Sequence, residues 1–300
     1  MIDGRLHVLR MLRQHGTVTA AAHALHLTPS AASQQLRSLA RDLDVELLVP
    51  EGRRVRLTPA ARVVLEHADQ LWSDWERAQA DLDAHREGGR GPLRLSAFPS
   101  VLAALLPEVV RHLRRHDLAL EVVQADPAES LDLLLVGEID LAVLEVSPAT
   151  PAAADPRFEQ HKLFDDPLQL VVSPTHPLAE WSAPIALAEA AEQPWIGGPP
   201  GGSFHQIELL ACAQAGIAPT FVHRALDWSA YLALIRCGLG VALMPRLAVD
   251  ASQPVRHLPL ADEPLPTRRI VTCVRRGSGE RFNMRRLREA LLSAADGIGR

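Results

Sequence analysis

Cysteine, lysine and long apolar runs are all scarce in this chain of 300 residues, and each shortage removes a class of protein. Three cysteines, Cys212, Cys237 and Cys273, are too few and too scattered for a disulfide framework or a zinc site. Buried packing is their expected role, with a redox pair of Cys212 and Cys237 as the alternative. Thirteen histidines are dispersed without the clustered spacing of metal ligands, so neither a metal nor another cofactor is expected. No apolar run reaches the length of a membrane span, and Met1 to Gly16 has no long apolar core or cleavage signal. No membrane partner is therefore expected, and the expected location is cytoplasmic. Catalysis also lacks support. No Gly-x-Ser-x-Gly elbow occurs, and the run Gly197-Gly198-Pro199-Pro200-Gly201-Gly202 has no following Lys-Ser/Thr to make it a phosphate loop.

What remains is an ordinary soluble composition, 47% hydrophobic and 22% charged, in a chain long enough for two or three domains with their own cores. The net charge of −5 is unevenly spread. Residues 1–65 hold nine Arg against five Asp or Glu, residues 66–87 hold two against seven, and the remainder holds twenty basic against twenty-four acidic residues. A cationic head on an acidic body turns its head toward a polyanion.

That head contains the most informative stretch. Val18 to Leu43 reads as two short helices joined by a tight turn, the first, roughly Thr19 to His26, rich in alanine and so a good helix former. Thr28 is placed to cap the second helix, and Pro29 sits at its first position, where a missing N–H costs nothing. Ala32, Leu36, Leu39 and Leu43 then recur on one stripe expected to be buried. Ser30, Ser33, Gln34, Arg37 and Arg41 fall opposite, and hydroxyls, an amide and guanidinium groups suit phosphates and base edges in a major groove. A solvated face of an ordinary helical domain is the competing reading. Residues 44–49 and 50–57 follow as two short extended runs around a Pro/Gly turn, with Arg53, Arg54 and Arg56 supplying charge at the tip of this expected wing.

Thr58-Pro59 repeats the cap-then-proline start, and a helix from Ala60 to about Arg86 is expected to follow. Along it Val64, Ala68, Leu71, Trp75, Ala78 and Leu82 alternate steps of four and three, the spacing of a coiled-coil seam. A homodimer through this helix is the favoured reading and packing on its own domain the alternative. Residues 87–92, Glu-Gly-Gly-Arg-Gly-Pro, break the helix as a hinge. Strands at 93–97, 118–124 and 139–146 then alternate with helices at 101–116 and 127–136, which implies parallel sheets covered by helices.

These segments share a resemblance. A helix with Leu6, Leu9 and Leu12, then AAHALHLTPSAASQQLRSLARDL, then RRVRLTPA, resembles the winged helix-turn-helix of LysR-type transcriptional regulators. Ala40, Asp44, Leu48, Pro50 and Ala61 stand where that family usually has Glu, Gly, Phe, Arg and Gly. Asp44 still tolerates a left-handed turn. Pro50 removes a phosphate contact and leaves the wing's charge to Arg53, Arg54 and Arg56. Further on, the segments at 137–143, 163–172, 173–178 and 238–245 resemble parts of the same family's effector domain.

The resemblance covers the whole chain and implies an α+β multidomain fold. Its expected parts are a winged helix-turn-helix at 1–58, a dimerising linker helix at 59–87, a hinge at 88–92 and a two-lobed α/β effector domain at 93–300, like periplasmic solute-binding proteins. Lobe I is expected at about 93–163 and 269–300 and lobe II at about 164–268, with crossings near His161 to Phe164 and Pro266 to Ile270. It also implies a non-enzymatic regulator with double-stranded operator DNA and a small-molecule effector as partners, assembled as a dimer or a dimer of dimers.

Two helix starts suit the effector. Phe98, Ser100 and Val101 open one helix, and Gly201-Gly202-Ser203 precedes another beginning at Phe204; both ends offer N–H groups and a hydroxyl to one small anion. Plain helix capping is the alternative for each serine. Trp195, Phe204 and Trp228 are the expected apolar walls, with Asp227 as an acceptor, although each also suits core packing or a cap. Two other classes stay open: an exported solute-binding protein and a cytosolic enzyme on the same α/β body.

Overall fold

The computed structural model of the protein describes residues 2–52, 54–84, 92–147, 150–248 and 253–298. Its head comprises α1 (Arg5–His15), α2 (Val18–Ala24) and α3 (Pro29–Asp42), followed by an antiparallel wing of β1 (Leu48–Glu51) and β2 (Arg54–Leu57). Thr17 and Thr28 start α2 and α3, their hydroxyls accepting from the Ala20 and Ala31 N–H groups at 3.2 Å. His26 and Asp44 adopt left-handed backbone, φ 52° and 51°, so α2 ends before His26 and the chain turns sharply after α3. Ala32, Leu36 and Leu39 are buried as their spacing predicts, packed in one core with Leu9, Leu12 and Leu47. Leu43 departs from that stripe. It is the C-cap residue, past the last full turn, and is 43% exposed.

The linker helix α4 (Pro59–Ala84) is fixed at its start by Thr58, whose hydroxyl donates to the Glu46 carbonyl at 2.7 Å and accepts from the Ala61 N–H at 3.0 Å. Its expected end at Arg86 and the hinge residues 88–91 lie outside the described residues. Two faces of α4 have different fates. Ala61, Leu65, Ala68, Ser73 and Glu76 are buried against the same chain, while Leu71, Trp75 and Leu82 are 53%, 51% and 48% exposed and Ala78 is exposed with them. Ala68 therefore belongs to the intramolecular face and not to the expected seam, because it falls in the same row as Leu65. Val64 is half-buried between the two faces.

The body begins with β3 (Leu93–Ala97), α5 (Pro99–Arg114), β4 (Leu120–Gln124), α6 (Pro127–Val136) and β5 (Leu141–Glu145). It continues through β6 (Phe158–Val172), β7 (Trp195–Gly197), α7 (Ser203–Gln214), β8 (Phe221–Arg224) and α8 (Trp228–Arg236). The last elements are β9 (Ala242–Pro245), β10 (Arg256–Pro259), β11 (Thr267–Arg275) and α9 (Phe282–Asp296). In the first lobe β3 lies parallel to β4 and β5, as the alternation implies, but β11 runs antiparallel to β5 and β6. Helix α9 returns onto this lobe, Leu287 and Leu291 sharing a core with Leu105 and Val109. In the second lobe β9 and β10 flank the end of β6, and β7 pairs in parallel with β8.

The crossings are more continuous than expected. Strand β6 does not break between lobes: Phe158 to Pro167 pair with β11, and from Leu168 to Val172 the strand pairs with β9 and β10. The first change of lobe thus falls near Asp166 to Leu168, a few residues after the expected His161 to Phe164, while the second falls at the start of β11. No helix among the described residues is long and apolar enough to cross a membrane.

Candidate functional site

On α3 the side chains of Thr28, Pro29, Ser30, Gln34 and Arg37 are exposed and Ser33 is half-buried. Gln34 and Arg37 make no hydrogen bond or ion pair with the described residues, so both are free to engage a partner. Arg5 fixes α3 from behind, pairing with Asp42 and donating to the Ser38 hydroxyl at 3.1 Å. Arg56 is exposed on β2, its Nε 3.5 Å from Glu51. Arg53 lies outside the described residues, as does the side chain of Arg54, whose backbone pairs with Glu51.

Behind this face the head is locked to α4. Asp69 pairs with Arg10 at 3.1 Å and Arg13 at 2.8 Å, and the Arg10 guanidinium lies 4.5 Å over the Trp72 ring. Burial pushes Arg10 down to about 10, and burial together with the Arg10 charge pushes the neighbouring His7 imidazole down to about 4. From the body, Arg275 donates to Glu76 at 2.6 Å and Arg281 pairs with the same carboxylate at 2.8 Å. Gly277 permits this approach: it has φ +89°, and a Cβ there would sit 2.6 Å from the Ser73 carbonyl oxygen.

A cleft of about 330 Å³ opens between the lobes, lined in part by Phe98, Ser203, Phe204, Asp227 and Trp228. Helices α5 and α7 begin beside it. Their N-caps, Phe98 and Gly202, make no side-chain cap hydrogen bond, so the first-turn N–H groups lack the usual internal acceptor. Ser100 is 4% exposed, and its hydroxyl accepts from Arg268 Nη2 at 3.0 Å. Arg268 is itself 1% exposed, paired with Asp166 at 2.7 Å and Glu145 at 3.4 Å, with Phe98 stacked 4.8 Å away. Phe204 and Trp228 meet edge to face at 4.8 Å. Asp227 caps α8 through the Ala230 N–H at 2.9 Å, and the Ser229 hydroxyl, with that cap, holds its carboxyl below the usual range.

Five expected site residues do not line the cleft: Ser100, buried on Arg268, and four others. Trp195 is fully buried in the second lobe, donating from Nε1 to the Ala190 carbonyl at 2.9 Å, and Val101 is buried in the core of the first lobe. Gly201 is exposed at φ +84° and, like the N-cap Gly202, shapes the turn into α7 without lining the cleft. Sequence reasoning in turn missed Arg268 and Glu145. The signal was the strand period in Arg268-Arg269-Ile270: Ile270 is fully buried and Arg269 exposed, which puts Arg268 on the inner face.

Beneath the start of α7, the buried Glu208 accepts from the Gly198 N–H and from His205 Nδ1, both at 3.0 Å, and from the Tyr231 hydroxyl at 3.1 Å. Burial raises the Glu208 carboxyl despite these donors. The cluster ties the glycine-rich loop to α7 and α8. The cysteines are less suited to chemistry. Burial pushes the thiols of Cys212 and Cys273 up to about 12, where almost no thiolate exists at neutral pH, and Cys237 is exposed. The redox alternative therefore lacks a reactive Cys212. No cluster of potential metal ligands occurs among the described residues.

Residues 4–62 match the family described as bacterial regulatory helix-turn-helix protein, lysR family, and residues 86–296 match the LysR substrate binding domain. The chain is 27% identical over 257 residues to the HTH-type transcriptional regulator CysB of Haemophilus influenzae, covering 82% of this chain and 75% of that protein. It is 30% identical over 274 residues to a probable hydrogen peroxide-inducible genes activator of Mycobacterium avium, covering 90% and 86%. Among solved structures, full-length OxyR from Pseudomonas aeruginosa has a TM-score of 0.64 at 22% identity, covering 96% of this chain and 93% of that one. With both family matches together spanning most of its length, the chain belongs to the LysR family of DNA-binding transcriptional regulators.

Proposed function

We propose that this regulator reads a dyad-symmetric operator with Ser33, Gln34 and Arg37 of α3, with Thr28, Pro29 and Ser30 at the helix start and Arg53, Arg54 and Arg56 of the wing on phosphates. Binding is modulated by a small molecule in the inter-lobe cleft, whose anionic group sits at the starts of α5 and α7. One observation carries the ligand reading: two helices lacking side-chain caps begin at the same cleft, with Ser203 on its wall and the buried Ser100 hydroxyl held by Arg268, which also lines it. Dimers form through Leu71, Trp75, Ala78 and Leu82, an apolar stripe left open on α4. The protein works in the cytoplasm, where its DNA is. The relatives named as hydrogen peroxide-inducible gene activators raise a peroxide response as a second reading, but the buried Cys212, its thiol pushed up to about 12, favours a reversible ligand.

A gel shift on the DNA upstream of the gene, repeated with a panel of small carboxylates, tests this reading. Binding that falls steeply with salt and changes with one or more carboxylates is expected. Loss of all DNA affinity at low salt, or indifference to every ligand that raises the melting temperature, would overturn it.

A further inference from the structure

The cleft's charge points to the chemistry of its ligand beyond an anionic group. Four carboxylates line it, those of Asp126, Glu129, Glu145 and Asp227, against the single guanidinium of Arg268. That guanidinium is already matched, by Asp166 at 2.7 Å and Glu145 at 3.4 Å, so it adds no net positive charge for an anion to meet. Glu145 is the less satisfied of the two carboxylates. It is 4% exposed, its Oε2 has only the long contact to Arg268, and its Oε1 has no hydrogen-bond partner among the described residues. Oε1 still reaches solvent, so it is open to a donor that enters the cleft, and a hydrogen bond to a charged acceptor is among the stronger ones. Apolar and aromatic surface borders the same space, Phe204 against Trp228, and aromatic faces attract cations.

We propose that the effector is a zwitterion of the amino-carboxylate class: its protonated amine donates to Glu145 Oε1, near the Phe204 and Trp228 rings, and its carboxylate takes the helix starts. Asp227, held in its charged form at the rim, adds a second attraction for the amine. The inference rests on the cleft being the effector site. A carboxylate alone would meet the same helix ends, yet would face four negative side chains with nothing to offset them. The amine makes the ligand fit both halves of the cleft.

The test uses the full-length protein and matched probes: the twenty L-amino acids, their deamino carboxylates and their decarboxylated amines, for example L-leucine, 4-methylpentanoate and 3-methylbutylamine. Melting shifts identify binders, and calorimetry measures them on the wild type, Glu145→Gln and Asp227→Asn. At least one amino acid is expected to bind ten- to hundredfold more tightly than its deamino partner, the range for a hydrogen bond to a charged group. Glu145→Gln should erase that preference while leaving the deamino carboxylate bound at least as tightly as before, because it removes one of the four negative charges. Asp227→Asn should reduce it less, and because Asn caps a helix as well as Asp does, this variant carries the test if Glu145→Gln fails to fold. Carboxylates that bind as tightly as their amino acids, or a preference untouched in both variants, overturn the amine but leave the cleft as the effector site. Amines that bind as tightly as amino acids remove the anionic half. No binding by any of the three series overturns both readings.

Discussion

Arg268 and Arg275 stand at opposite ends of β11, the first buried between the lobes and the second clamped to the linker helix through Glu76. Arg275 is also held by the carbonyls of Leu134 and Ile139 at 3.0 and 2.6 Å, at the end of α6. One strand therefore touches both the cleft and the helix that carries the DNA-reading head.

If a ligand that engages Glu145 disturbs the Arg268 pairs, β11 offers one physical route to the head. Glu76→Gln keeps the shape of the Arg275 contact and removes its charge. The expected result is unchanged ligand affinity in the absence of DNA and a reduced effect of ligand on DNA affinity. A coupling of the usual ~1–3 kcal/mol should shrink measurably. Calorimetry and fluorescence anisotropy on the variant decide the matter, and an intact ligand effect would exclude this route.

The α3 face gives a second expectation. Gln34→Ala should relax base preference at one operator position by about 1–3 kcal/mol, whereas Arg54→Ala should weaken every sequence alike and flatten the salt dependence. Competition binding with operator and random DNA separates them. Equal losses on both DNAs for Gln34→Ala would remove it from base reading.

Much of this fold is local in origin and so was legible in the sequence. The caps at Thr28 and Thr58 with prolines behind them, the left-handed Asp44 and the α4 periodicity each depend on residues within a turn or two. What escaped is long-range. The same α4 pattern serves two partners, and nothing local says that Ala68 and Glu76 meet the body while Leu71 and Trp75 do not. The site divides likewise: Ser203 and Phe204 were readable from a helix start, but Arg268 meets Ser100 and Glu145 only once a crossing strand brings distant segments together. Trp195 shows the converse error, an aromatic that fills a core after looking like a wall.

The two faces of α4 predict opposite consequences for similar changes. Leu71→Glu with Trp75→Glu puts like charges on the open stripe, so sedimentation should show the oligomer falling to monomer with little change in protomer melting. Ala68→Glu instead buries a charge at a site that is 1% exposed, and should lower the melting temperature sharply. An oligomer unaffected by the first pair of changes would move association to the effector domains.

The junction between head and linker should also sense acid. His7 packs at 4.5 Å from the Trp72 ring centroid, its Nδ1 buried without a hydrogen-bond partner among the described residues, beside Arg10. Its pKa is lowered from 6.5 to about 4, so between these values the unfolded chain binds a proton that the folded chain does not. Stability must then rise with pH across this window: the contribution is complete above 6.5 and is lost as pH falls toward about 4. His7→Phe keeps a flat ring against Trp72 and cannot titrate. Its melting temperature should fall less steeply than that of the wild type between pH 6.5 and pH 4. Tryptophan fluorescence recorded along both curves reports whether the change is at Trp72. Parallel curves for the two proteins would show that the acid sensitivity comes from carboxylates elsewhere.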